Sequence, residues 1–162
     1  MSYTNSYIMS KTTVPAIGEG KRGEQGHIGY LLRQAHTAHR LRMERALADL
    51  EVTLPQFSVL TMLVAYPGAS GADLARLSLL TPQTMSVIVA NLERGGAISR
   101  RPHAVHGRIQ QIEVTETGRE LLALGRRRAK AVEDELLAGV SQADQMAVRR
   151  WLVKVAVHGS TD

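Results

Sequence analysis

Between Ser70 and Thr115 helix-start signals, a glycine pair and two β-leaning runs follow one another so closely that few arrangements remain. Ser70 is placed to cap a helix whose buried side holds Leu74, Ala75 and Leu77. After the turn Leu79-Leu80 comes Thr81-Pro82. Threonine is a good N-cap, and proline is favoured at the first helical position. The helix that starts there carries Met85, Ile88, Val89 and Leu92, an apolar set at i, i+3, i+4 and i+7. Its other face, with Gln83, Thr84, Ser86, Val87, Ala90, Asn91 and Arg94, is small and mostly polar, and so suited to close approach to another surface. Gly95-Gly96 ends the helix. The runs Ala97–Arg101 and Arg108–Val114 then predict a two-stranded ribbon with Pro102–Gly107 at its tip. The order is that of a helix-turn-helix followed by a β-wing.

Charge separates this stretch from an ordinary packed subdomain. From Arg94 to Arg108 there are four arginines and no acid. A solvated face usually mixes signs, whereas an acid-free wing suits a polyanion. The whole chain points the same way. Its net charge is +5, and most of its 20 basic residues are arginine, the side chain suited to phosphate and base-edge contacts.

At 162 residues the chain is long enough for one well-buried domain, or a small domain with a helical extension. With no cysteine, disulfides and thiolate metal sites are excluded. No apolar run approaches the length of a membrane span, and the start lacks the pattern of a secretion signal, so a cytoplasmic protein with no membrane partner is expected. No glycine-rich phosphate loop, nucleophile constellation or Cys/His array occurs. Neither catalytic residues nor metal ligands nor a cofactor are therefore expected.

Residues 1–26 show no sustained periodicity and predict a flexible tail, with a short ordered piece at Tyr7-Ile8-Met9. A DNA-reaching arm is the alternative, but the tail offers only Lys11, Lys21 and Arg22. A long helix is predicted over Ile28 to Leu50, with Ile28, Leu31, Leu32, Ala35, His39, Arg42, Ala46 and Leu50 on one face. A face of that length needs another long helix, from this chain or a partner. His36 and His39 share a face at i, i+3, but no carboxylate adjoins them, which favours packing over metal binding. Thr53 and Gln56 have capping-box spacing at the start of a helix with Phe57, Leu60, Leu63 and Val64 buried. Beyond the wing, Thr115 caps a long helix with Leu121, Leu122, Ala129, Val132 and Leu136 as its stripe. Gly139 ends it, and a last helix from Ser141 carries Met146, Trp151, Leu152 and Val155. The run Arg126-Arg127-Arg128 could be a second DNA contact, but reads better as a solvated face.

Several segments together resemble the MarR (multiple antibiotic resistance regulator) family. They are Leu54–Leu60, Asp73-Leu74-Ala75, Thr84-Met85-Ser86, Asn91–Ile98, Arg100-Arg101-Pro102 and Val114–Gly118 with Leu121-Leu122. The resemblance runs from about Ile28 to the C-terminus. It implies a mainly α fold with a small β-wing, in which a winged helix-turn-helix DNA-binding lobe joins a helical dimerisation lobe. It also implies a homodimer on double-stranded, pseudo-palindromic operator DNA, usually a repressor released by a small ligand. The expected division is a tail over 1–26, a dimerisation helix over 27–52, the winged domain over 53–115 and dimerisation helices over 116–162.

Two departures stand out. Where family wings commonly carry Asp-x-Arg, this chain has His106-Gly107-Arg108, so the acid that would orient the arginine is a histidine. Where recognition helices often carry arginine, it has Val87. Base reading would fall to Gln83, Thr84, Ser86 and Asn91, with Val87 against a thymine methyl. Thr81 and Pro82 at the helix start and Arg100, Arg101, His103, His106 and Arg108 on the wing complete the expected DNA-facing set. His103 and His106 could act as a pH switch or simply be exposed imidazoles. The resemblance also implies a ligand crevice, lined here by His36, His39, Arg40, Met43, Met62 and Tyr66. The methionines would give adaptable walls, and His39 and Arg40 could meet the carboxylate of a small aromatic acid or a phenolate. The alternative function is a winged-helix module for protein contacts that does not bind an operator.

Overall fold

The computed structural model describes residues 14–102 and 110–158. The chain divides into two compact units, Met1–Arg40 and Leu41–Asp162. Helices α1 (Ile28–Leu47), α2 (Leu54–Ala65), α3 (Gly71–Leu77) and α4 (Pro82–Arg94) are followed by strands β1 (Ile98–Pro102) and β2 (Gln110–Val114), then by α5 (Glu116–Leu136) and α6 (Gln142–His158). The fold is mainly helical with a small antiparallel wing, as the sequence predicts.

In the first unit, residues 14–27 ahead of α1 make local hydrogen bonds, while the expected ordered piece at Tyr7-Ile8-Met9 lies outside the described residues. A single 3-10 turn, Gly20–Arg22, is closed by the Gly18 N–H donating to the Arg22 carbonyl (3.1 Å). The Ala16 N–H donates to the Glu19 carboxylate (3.0 Å), and the Arg22 guanidinium donates to the Pro15 carbonyl (2.8 Å). These bonds join residues at most seven apart and have no hydrophobic periodicity to announce them.

The second unit holds the core, in which Leu47, Val59, Leu60, Leu74 and Met85 are the most deeply buried. Local signals start its helices. For α2 the Gln56 N–H donates to the Thr53 hydroxyl (3.4 Å) and the Thr53 N–H to the Gln56 side-chain oxygen (2.8 Å). For α3 the Asp73 N–H donates to the Ser70 hydroxyl (3.2 Å), while the Ser70 N–H and hydroxyl both donate to the Asp73 carboxylate (3.0 and 2.6 Å). The amphipathic α4 buries Met85, Ile88, Val89 and Leu92. It ends in a Schellman motif: Gly96, at φ +72°, donates to the Glu93 carbonyl (3.0 Å), and the Ala97 N–H to the Leu92 carbonyl (2.9 Å).

That C-terminus is tied to the start of α5. The Thr115 hydroxyl donates to the Gly96 carbonyl (2.6 Å) and accepts from the Gly118 N–H (3.1 Å). The Thr115 N–H donates to the Ala97 carbonyl (3.1 Å). β1 pairs with β2 in the register Ile98↔Val114 through Pro102↔Gln110. The wing therefore leaves the core where α4 stops and returns where α5 begins.

Three details differ from the sequence reading. The first long helix ends at Leu47 and tightens into a 3-10 turn over Ala48–Leu50, with Glu51 in the left-handed region. Leu77 and Val64, expected on buried stripes, are each 40% exposed. Both lie near helix C-termini, where the apolar stripe runs past the neighbours that cover it. Helix α5 stops at Leu136, and Gly139 lies in the turn beyond at φ +76°.

Candidate nucleic-acid interface

Helix α4 presents the face that the sequence predicts. Thr81, Pro82, Gln83, Thr84, Ser86 and Val87 are exposed, and Asn91 is half-buried. The face exists because the other side of α4 is anchored in the core by four apolar side chains. The Thr81 cap fixes where the helix begins, the Thr84 N–H donating to its hydroxyl (3.1 Å). The unsatisfied N–H groups of such a first turn favour an anion such as phosphate.

The polar side chains on this face are not equivalent. The Ser86 hydroxyl donates to the Pro82 carbonyl (2.9 Å). The Thr84 and Thr81 hydroxyls share a hydrogen bond of 2.9 Å. The Asn91 side-chain oxygen accepts from the Arg94 guanidinium (3.1 Å). Val87 stands out as an apolar side chain 61% exposed. The preceding turn is also unusual: Leu79 has φ +53° and is 92% exposed.

The wing's charge differs from what its sequence suggests. The run from Arg94 to Arg108 contains no acid, but folding brings acids from outside it. The Arg100 guanidinium pairs with Glu93 of α4 (3.0 Å), and Arg101 pairs with Glu113 across the strands (3.4 Å). The pairing follows from register, which places Glu113 opposite Ser99, diagonal to Arg101. Exposed pairs of this kind are worth about 0–1 kcal/mol. Arg101, with a side chain 71% exposed, can exchange its carboxylate for a phosphate at little cost. His103, His106 and Arg108 lie outside the described residues. Arg126, Arg127 and Arg128 are exposed on α5, and Arg128 is engaged by Asp49 (2.7 Å).

Of the expected ligand-facing residues, His36 and Arg40 are exposed and His39 is half-buried, with its Nδ1 buried and without a hydrogen-bond partner. In the second unit Met43 is a core residue, Met62 packs against the core and Tyr66 is exposed. The sequence reading missed a cleft of about 310 Å³ between the start of α3, α4 and the wing base. Ser70, Met85, Ser86, Val89, Arg100 and Ile112 line it. These residues come from four separate segments, so no local motif could have grouped them. Among the described residues no group of three or more His, Cys, Asp or Glu is placed to hold a metal ion, and no single helix is long and apolar enough to cross a membrane.

Known proteins share both sequence and fold. The MarR family description matches residues 50–109. The curated transcriptional repressor Rv2887 of Mycobacterium tuberculosis is 34% identical over 128 residues, which are 79% of this chain and 92% of the relative. The crystal structure of Rv2887 in complex with DNA superposes with a TM-score of 0.64 at 32% identity, covering 80% of this chain and 97% of that one. Its complex with salicylic acid gives a TM-score of 0.65 at 33% identity, covering 82% and 98%. The capped recognition helix, the paired wing and this likeness over most of its length lead to one conclusion: the chain belongs to the MarR family of winged helix-turn-helix, DNA-binding transcriptional regulators.

Proposed function

We propose that the chain is a homodimeric, cytoplasmic repressor that binds a pseudo-palindromic operator and is released by a small aromatic acid. The observation that carries the reading is the exposed face of α4, where Gln83, Thr84, Ser86 and Val87 are displayed on a helix whose other side is fixed in the core. Residues 53–115 then form the DNA-binding part, and 27–52 with 116–162 join two copies. A two-fold pair would set two such helices in successive major grooves, roughly 34 Å apart. Thr81 and Pro82 would meet phosphate at the helix start, with Arg100, Arg101, His103, His106 and Arg108 along the wing. That the relative Rv2887 has been solved both with DNA and with salicylic acid supports an operator and an aromatic effector here.

A ligand releases DNA only by binding better to a state in which the two helices no longer match the groove spacing. For its seat we favour the part of α1 that carries His36, His39 and Arg40. The buried, unpaired Nδ1 of His39 supports this choice, because an unsatisfied buried polar group is costly until a partner arrives. The cleft at Arg100 is the second candidate, lined by that arginine, which also pairs with Glu93, and by the apolar Met85, Val89 and Ile112. The test is a gel-shift titration against the DNA upstream of the protein's own gene, with salicylate added to wild type, His39→Ala, Arg40→Ala and Arg100→Ala. Wild-type protein should shift the DNA, and millimolar salicylate should reverse the shift. Loss of that reversal in the His39 and Arg40 variants supports the first seat, and its loss in Arg100→Ala alone supports the cleft. No shift at all would sink operator binding. A shift that no aromatic acid reverses would sink the effector.

A further inference from the structure

Of the polar residues on the exposed face of α4, most are already occupied. The Thr84 hydroxyl is engaged with Thr81 and the Ser86 hydroxyl with the Pro82 carbonyl. The Asn91 oxygen is held by Arg94. The Gln83 carboxamide is different. It is exposed, and among the described residues it has no hydrogen-bond partner, so its donor and acceptor edges are both open. One helical turn further along the same face lies Val87, a β-branched apolar residue exposed to 61% where a polar residue would be better solvated.

We infer that Gln83 and Val87 form the base-reading pair of this regulator and select an adenine with a thymine close by. A planar carboxamide matches adenine bidentately, donating to N7 and accepting from the N6 amino group. An aliphatic side chain matches the one apolar group in the major groove, the thymine C5-methyl. Four residues along a helix advance about 6 Å, and successive bases on a strand lie about 3.4 Å apart. The two contacts therefore fall within about two base-pair steps of each other. The Thr84 and Ser86 hydroxyls are each tied into the first turns of α4 and contribute less to the choice of base. The inference rests on the operator reading and sharpens it to the operator's composition: each half-site carries an A·T pair under Gln83 and a thymine methyl under Val87.

The experiment is selection from a duplex library with a randomised core, using wild-type protein, Gln83→Ala and Val87→Ala. It is followed by atom-level substitutions in the selected duplex. Wild type should enrich half-sites with the adenine and thymine so spaced. Replacing that adenine by 7-deazaadenine should weaken wild type about 5- to 100-fold and leave Gln83→Ala indifferent. Replacing the thymine by deoxyuridine removes only the methyl, and should cost wild type about fourfold and Val87→Ala nothing. A wild-type consensus that survives unchanged in both Gln83→Ala and Val87→Ala would overturn the inference while leaving operator binding intact. Failure of wild type to enrich any sequence would overturn the operator reading itself.

Discussion

Gly125 sits inside a long helix, where alanine would ordinarily be favoured by about 1 kcal/mol. Here a Cβ would lie 2.5 Å from the Phe57 ring, so glycine is what lets α5 close on α2. Gly125→Ala is expected to destabilise the protein by about 1–3 kcal/mol through overpacking. Gly118 is tighter still, since its Cβ would fall 2.0 Å from the Ala97 carbonyl oxygen, a backbone atom with no rotamer to yield. Gly118→Ala should lower the denaturation midpoint more than Gly125→Ala, and equal losses would contradict this ranking. Leu79 has the opposite imbalance. A leucine in the left-handed region costs about 1–2 kcal/mol, and at 92% exposure no packing offsets it. Asparagine tolerates that region, so Leu79→Asn should raise Tm by about 2–4 °C in a thermal melt.

Among the elements, the legible signals were local ones. The capping pair Thr53/Gln56 and the caps at Ser70 and Thr81 act on partners three residues away, and the sequence places them correctly, while the return bond from the Ser70 N–H to Asp73 emerges only in the structure. The stripe of α4 reads equally well, because helical period and burial agree there. The wing's ion pairs were not legible, since Glu113 meets Arg101 only through strand register and Glu93 meets Arg100 only once the turn after α4 is built. Nor were the roles of Gly118 and Gly125, which depend on which chain passes opposite. The α3 cap carries a pH prediction. The Ser70 hydroxyl and then its N–H hold the Asp73 carboxyl below the ordinary carboxylate value, desolvation opposes them, and the Arg76 guanidinium adds to the lowering. A depressed folded value means that the contribution is present above about pH 4, the unfolded value, and is lost as pH falls through the folded one. Asp73→Asn should therefore lower the urea midpoint at neutral pH, with the gap to wild type closing in acid. A gap that stays constant with pH would refute the assignment.

For the whole molecule, the unresolved demand is apolar surface. Every residue of α6 from Met146 to Val157 is exposed in the single chain, although Val148, Trp151, Leu152 and Val155 follow the i, i+3, i+4, i+7 pattern of a buried helix face. Leu136 and Val140 add to this surface just before it. A monomer seldom leaves a contiguous patch of this kind in water. Pairing across a two-fold axis would bury it twice, because each copy contributes the same face. The expected solution species is a homodimer of twice 17.7 kDa at micromolar concentration. Light scattering on wild type and on Trp151→Asp with Leu152→Asp tests this directly. The double variant should run as a monomer, its fold judged by retained helical circular dichroism. Its operator affinity should fall by about 100-fold or more, since one half-site must then be held without the effective concentration supplied by the other. If wild type is itself a folded monomer at micromolar concentration, α6 does not pair the chains. Recognition would then rest on a single α4 helix and its wing.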